Sequence, residues 1–311
     1  MKLFARSTLL PHFALLLSML VWSSTFIGMK FALSAYQPAT AMALRMGAAS
    51  LLCLPFLPGL VRALRDPALR RVLLLGVLCE PCLYFLCETS ALRHTSSAQA
   101  GMVLALLPLC VAVGARLFLN ERMAGRAWFG FALAVGGVVW ISLGAEASET
   151  SPNPLLGNIL EAMAVLCAAG YTLCMRRLSR SIPPLLLTAA MTFAGTLFFS
   201  TLSLLPLSVP PVHLDVDIPS WMPLASTLYL GIVATLAGYG FYNFGIGRLS
   251  AGQAPAYTNL IPVITLFMGV FILNERITPA QYLASALVLA GVMLSQGGHV
   301  MKKEHNHARS A

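Results

Sequence analysis

The chain reads as an all-α integral membrane protein with ten transmembrane helices built as two inverted five-helix repeats, and three observations predict that class. Of 311 residues, 10% are charged and 58% hydrophobic, with mean hydropathy +0.80; a soluble domain carries about 25% charged and about 45–50% apolar residues. Apolar runs of the length that crosses a hydrocarbon core, about 20 residues, recur from end to end. The two halves also repeat each other in register at a spacing of 154. The charge deficit runs along nearly the whole chain, which excludes a soluble enzyme on a single helical tether. The net charge of +9 would suggest nucleic acid in a soluble protein, and the positions of the bases decide that question.

The spans, bounded by charge, Pro or Asn, run from Leu9 to Met29, Ala39 to Leu57, Val72 to Leu92, Ala98 to Leu119, Ala127 to Gly144, Leu155 to Met175, Leu185 to Leu207, Trp221 to Ile246, Gly252 to Leu273 and Ala280 to Gln296. Runs such as Val72-Leu-Leu-Leu-Gly-Val-Leu do not alternate as barrel strands do, so the spans are helices. Lys2 and Arg6 ahead of the first run resemble a secretory signal. Its length, and Trp22, Ser23, Ser24 and Thr25 within it, predict a retained helix instead, since signal cores have about 7–15 residues.

With the N-terminus in the cytoplasm, fifteen of the twenty bases fall inside: Lys2, Arg6, Arg62, Arg65, Arg70, Arg71, Arg122, Arg126, Arg176, Arg177, Arg180, Arg248, Lys302, Lys303 and Arg309. Lys30, Arg93 and Arg276 fall outside, and Arg45 and Arg116 lie within spans. This imbalance follows the positive-inside rule. It predicts a multi-pass protein of the inner (plasma) membrane with both termini cytoplasmic. Topology thus accounts for the bases, and a nucleic-acid partner is excluded. All seven cysteines lie in spans. Cys79-Glu-Pro-Cys82 has redox or metal spacing, but no second Cys or His pair accompanies it, and His305-Asn-His307 reads as a solvated tail. No metal and no cofactor are expected.

The repeat places His94 to Val138 over Arg248 to Val292 with thirteen of forty-five columns identical, among them Ser96/Ser250, Gln99/Gln253, Pro108/Pro262 and Leu119-Asn-Glu-Arg122 over Leu273-Asn-Glu-Arg276. The copies are five spans apart, an odd number, so the halves insert in opposite orientations. Inverted repeats build secondary transporters, with the substrate site near the midplane between halves. The units expected are residues 1–150, 151–298 and a cytoplasmic tail, 299–311. Thr278-Pro279 supplies an N-cap and a first-turn proline for the last span, with Glu275 placed to offset its dipole. Pro108 and Pro262 each remove a backbone hydrogen bond mid-span and are hinge candidates. Ala132/Gly136 and Ala286/Ala290 are small-residue pairs expected to pack helices.

These residues resemble the EamA-type drug/metabolite transporter superfamily over nearly the whole chain. The resemblance is carried by the five-plus-five repeat, the Leu-Asn-Glu-Arg ends, the Trp22 to Lys30 stretch and Phe85-Leu-Cys-Glu88-Thr-Ser-Ala-Leu92-Arg-His-Thr-Ser96. Ala169-Gly-Tyr-Thr-Leu-Cys-Met-Arg-Arg177, the matching stretch of the second half, lacks the Trp. The resemblance implies a ten-helix carrier, many relatives being inner-membrane exporters of amino acids or other metabolites.

Charges within spans are functional candidates by default. Arg116 lies near the cytoplasmic end and can snorkel. Arg45 is about seven residues from the outer end, roughly 10 Å deep, where a structural ion pair is the bland reading. By depth its partners are Glu88 and Glu161, which leaves Glu80, beside Pro81, unpaired and the candidate for proton coupling; a neutral Glu80 bonded to a carbonyl is the alternative. Trp22, Tyr84, Tyr171, Tyr239, Tyr242, Asn243, Gln99, Gln253, Tyr257 and Asn259 are expected around a central cavity, with interfacial or interhelical roles as the alternatives. No catalytic group is expected: an intramembrane enzyme would need a Ser–Lys pair or a His-Glu-x-x-His motif, and neither occurs. The sequence reads as a secondary carrier exporting amino acids or related metabolites, with multidrug or cationic-compound efflux as the second carrier reading and a membrane scaffold as the reading from another class. Its partners are a small-molecule substrate and the bilayer; monomer and homodimer both stay open.

Overall fold

A computed structural model describes residues 2–118, 124–179, 181–206, 208–246 and 257–307, and apart from an isolated bridge between Ser148 and Ser151 the regular structure there is helical. In order come α1 (Lys2–Leu33), α2 (Pro38–Cys53), a 3-10 turn (Leu54–Phe56) leading into α3 (Leu57–Ala63), and a third span made of α4 (Pro67–Val77), a π-helical segment (Leu78–Leu83) and α5 (Tyr84–Ala91). The fourth span is α6 (Ser97–Leu104) and α7 (Leu107–Phe118), followed by α8 (Gly125–Leu143), α9 (Pro154–Leu178) and α10 (Pro184–Ser203). The eighth is α11 (Met222–Tyr229), a second π segment (Leu230–Ala237) and α12 (Gly238–Ile246); α13 (Leu260–Leu273) and α14 (Pro279–His307) close the chain. Among the described residues eight helices are long and apolar enough to cross a membrane, and Leu260–Leu273 and Pro279–Ser295 are shorter apolar helices. The expected ninth-span start at Gly252 lies outside the described residues.

Proline and short polar side chains set the starts. Pro38, Pro67, Pro154, Pro184 and Pro279 each open a helix, where the missing N–H has no intrahelical partner to lose. Asp66 Oδ1 accepts from Ala68 N at 2.8 Å, Ser96 Oγ from Gln99 N at 3.1 Å and Asn153 Oδ1 from Leu156 N at 3.1 Å, caps worth about 1 kcal/mol each. Thr278 caps the last span as expected, and Gln281 returns the bond to Thr278 N, so the two form a reciprocal capping box.

The connections sort onto two faces. On the first, which we call the covered face, Val212 N donates to Leu33 O, Gln37 bonds both backbone groups of Val209, Arg93 reaches Pro210 O and Asn153 N donates to His94 O. Glu275 joins them by accepting from Ser97 N and Ala98 N. The links after spans one, three, five, seven and nine therefore share one face. The fourth span starts on that face, whereas its repeat equivalent, α13, ends there. That is the inversion inferred from an odd number of spans.

The halves are interleaved. The lead helix of the first half, α1, packs on α11, α12 and α13 of the second, and the lead helix of the second, α9, packs on α4, α5, α6 and α7 of the first. Repeat-equivalent helices also pair, α2 with α10 and α8 with α14. The α8–α14 seam is glycine-lined: a Cβ on Gly130 would meet Gly291 O, one on Gly291 would meet Gly130 O and Ala134 N, and one on Gly137 would meet Val288 and Ala284 O. This corrects the expected small-residue pairs. Ala132, Gly136, Ala286 and Ala290 are exposed, and Gly136 has nothing around it. Both faces of these helices are apolar, so composition alone could not tell the seam from the lipid side.

Candidate functional site

Two symmetric interruptions open the backbone at the centre. At the repeat spacing, Leu78–Leu83 falls on 232–237, inside the second π segment. Such segments free carbonyls from the regular ladder and recur at functional sites; Glu80 is extended here, with φ −143° and ψ 121°. A second matched pair lies at Ala105–Leu106 and Asn259, where the helices break two or three residues before Pro108 and Pro262. Each proline thus sits in the first turn after a break rather than mid-helix, because its missing N–H is tolerated there.

Arg45, on α2, enters this region between the halves. Its guanidinium lies 4.2 Å over the Phe85 ring, a cation–π contact, the residue is 6% exposed, and Nε has no hydrogen-bond partner. The eighth span presses on it so closely that a Cβ on Gly231 would collide with Arg45 O. Glu88 and Glu80 act on Arg45 electrostatically, but neither forms an ion pair with it. Glu88 instead accepts from the Tyr84 hydroxyl at 2.6 Å, and Glu80 Oε1 accepts from the Tyr239 hydroxyl at 3.2 Å, a bond that joins the halves. The expected pairing is therefore corrected: the acid left with no partner is Glu161, not Glu80, and Arg45 stacks on a ring where an ion pair was expected. Sequence depth gave the level of each group but not the rotation of its helix.

Aromatic side chains close around Glu80. Trp22 packs on Tyr239 and Tyr242 at 5.2 and 5.1 Å between centroids, and Gly238 leaves room for the indole, whose Nε1 would stand 2.6 Å from a Cβ there. Tyr171 donates to the Met191 sulfur at 2.8 Å and feels the charge of Glu80. Structure thus groups Trp22, Arg45, Glu80, Tyr84, Glu88, Tyr171, Tyr239 and Tyr242.

The remaining candidates lie elsewhere. Gln99 belongs to a buried amide network at the covered face, accepting from Asn158 Nδ2 at 2.9 Å while Asn158 also holds Thr95 and Ser142. Its partners there are protein groups, which is the interhelical alternative. Tyr257 meets His12 Nδ1 at 2.6 Å, tying α1 to the chain just before α13; His12 was not singled out from sequence. Asn259 occupies the break before α13. Asn243 lies on α12, its side chain outside the described residues, and Gln253 is outside them altogether. Arg116 is exposed, in keeping with snorkelling.

The covered face holds a second charge pair that sequence missed. Lys30 was counted as an outer-loop base, yet it is 1% exposed, 3.7 Å from Glu275 and donating to Thr150 O at 3.3 Å. Glu275 does not serve the last helix, as expected, but caps the amides of α6, where a carboxylate meets the positive end of the helix dipole. Asn274 makes this possible: its left-handed φ of 54° ends α13 and turns the next residue inward. On the same face, burial and the neighbouring Arg93 push His94 below the usual imidazole value. The Asn-Glu-Arg triplet, repeated in register, was the signal that these residues do something particular.

Among the described residues no group of three His, Cys, Asp or Glu side chains is placed to hold a metal ion. The central set offers a guanidinium short of acceptors, carboxylates and aromatic rings, the chemistry for gripping a small charged or zwitterionic solute.

The EamA-like transporter family profile matches residues 9–143 and again 155–296. The chain is 29% identical over 287 residues, 90% of this chain and 91% of the other, to a probable terminal-alkyne amino-acid exporter of Streptantibioticus cattleyicolor. It is 26% identical to the uncharacterized transporter YyaM of Bacillus subtilis, covering 94% and 97%, and 24% identical to the uncharacterized inner membrane transporter YedA of Escherichia coli, covering 92% and 90%. One solved crystal structure shares the fold with a TM-score of 0.59 at 21% identity, over 93% of this chain and 96% of that one.

Proposed function

The chain belongs to the EamA-like transporter family, and from that premise we propose that it is a secondary carrier exporting amino acids or related small metabolites across an inner membrane by alternating access, coupled to protons. The observation that carries the substrate reading is Arg45, a guanidinium held between the halves with Nε unpartnered, which suits the carboxylate of an amino acid through charge-assisted hydrogen bonds. The relative named as an amino-acid exporter supports it. In this reading the covered face is outer and both termini are cytoplasmic, in line with the fifteen bases that the positive-inside reading of the sequence assigns to the opposite side. The strap of connections, with Lys30 and Glu275 beneath it, is the outer closure, and Pro108 and Pro262 mark the hinges.

A second reading, efflux of cationic compounds, is favoured by the Trp22, Tyr239 and Tyr242 rings beside Glu80. Counterflow in proteoliposomes separates the two, with labelled amino acids and labelled aromatic cations presented in parallel. Amino-acid counterflow that Arg45→Ala removes is the expected result; counterflow of cations alone selects the second reading.

A further inference from the structure

One carboxylate in the middle of the protein has nothing to hold it. Glu161, on α9 of the second half, is 0% exposed, both its oxygens lack a hydrogen-bond partner and it joins no ion pair. Its electrostatic neighbour is Glu88, on α5 of the first half, 5% exposed, with Tyr84 donating to one oxygen and Arg45 acting on it from α2. The helices that carry them, α5 and α9, pack against each other; two ionised carboxylates that interact across such a seam in dry protein are costly, and one proton held between them removes that cost. A positive charge has to accompany them. An ammonium group or a hydrated metal ion needs space at Glu161, and complete burial leaves none; a proton needs none.

Resting on the carrier reading, we propose that Glu161 and Glu88, one acid from each half, are the proton-loading pair of the transport cycle. A hydronium ion gives its proton to a carboxylate oxygen of the pair, an O–H bond forms and water leaves. The pair then carries a single negative charge, which the Arg45 guanidinium balances. When the other access state brings the pair to water, the O–H ionises and the proton departs as hydronium. The neighbouring groups do not displace this assignment. From α5 come Cys87 and Tyr84; the π segment adds Cys79 and Glu80, and Glu80 already has the Tyr239 hydroxyl. The α6 segment carries no ionisable side chain, α7 carries Cys110 and Arg116, and the bases of α4 and α8, Arg70, Arg71 and Arg126, stand at helix starts on the opposite face. Glu80, the acid that sequence depth singled out, is thereby replaced as the proton site.

Infrared difference titration of the full-length protein in lipid tests the pair without any solute. The expected result is a buried carboxylic-acid C=O band that disappears as pH is raised, persists in Glu80→Gln and is abolished in Glu161→Gln or Glu88→Gln. Should either Gln variant fail to fold, the wild-type titration and the other variant still decide. Absence of the band from the wild-type protein overturns the proposal, as does a band that only Glu80→Gln removes. A wild-type protein that shows the band but moves no solute overturns the carrier reading and the pair's place in a transport cycle, and leaves only the shared proton.

Discussion

At the repeat spacing the third span lies on the eighth with π segments superposed, but Glu80 falls on Ala234, Tyr84 on Gly238 and Glu88 on Tyr242. The same backbone device therefore appears twice while the acids appear once. In the third span Glu80 in the opened stretch and Glu88 just beyond it are met by Tyr239 and Tyr84; in the eighth, Gly231 in the stretch and Gly238 just beyond it are where Arg45 and Trp22 press close. The difference separates two tasks. The opened backbone is shared by both halves, whereas Arg45, Glu80 and Glu88 belong to the first half, with the second supplying rings, close-fitting backbone and the lone acid Glu161.

The largest expected effect follows from removing the charge that the eighth span clasps. Arg45→Ala lowers flux by about 100-fold, the scale for losing a desolvated charged contact of about 2–5 kcal/mol. The variant still folds but melts at a lower temperature, because the contact with Phe85 and the charge facing Glu88 are lost; a variant that no longer folds points to a structural role. Next comes a transplant. Glu80→Ala with Ala234→Glu moves the acid to the equivalent site, and flux in vesicles stays as low as in Glu80→Ala alone, while recovery of transport means the halves are chemically interchangeable.

Smaller effects separate close packing from open surface. Gly231→Ala drives a methyl group into the Arg45 carbonyl and destabilises the folded protein by about 1–3 kcal/mol; Gly136→Ala, in open space, is expected to stabilise by roughly 0.5–1 kcal/mol, both read from detergent melting curves. The smallest is Tyr239→Phe, which deletes one hydrogen bond to Glu80, worth about 1 kcal/mol, and slows exchange by roughly fivefold without loss of folded protein.

The spans, the inversion and the levels of Arg45 and the three central glutamates were legible because they rest on signals that survive without tertiary structure: run length, the side on which bases fall, and an in-register triplet. Lys30 and Glu275 were not, since a lysine at a span end looks solvated until a strap such as 208–217 is seen folded over it. Pairing was lost for a related reason. Where every face of a helix is apolar, hydrophobic periodicity gives no rotation, so neither the partner of Arg45 nor the Gly130–Gly291 seam could be read from the sequence, and Glu161 was given a partner it lacks.

Counterflow tests the central claim most directly: wild-type protein in liposomes preloaded with unlabelled amino acids, presented with the labelled compounds outside, beside the Arg45→Ala protein at equal incorporation. A carrier whose recognition lies at the first-half charges gives label accumulation in the wild type and background in the variant. Equal accumulation in both, or none in either with any solute, contradicts it.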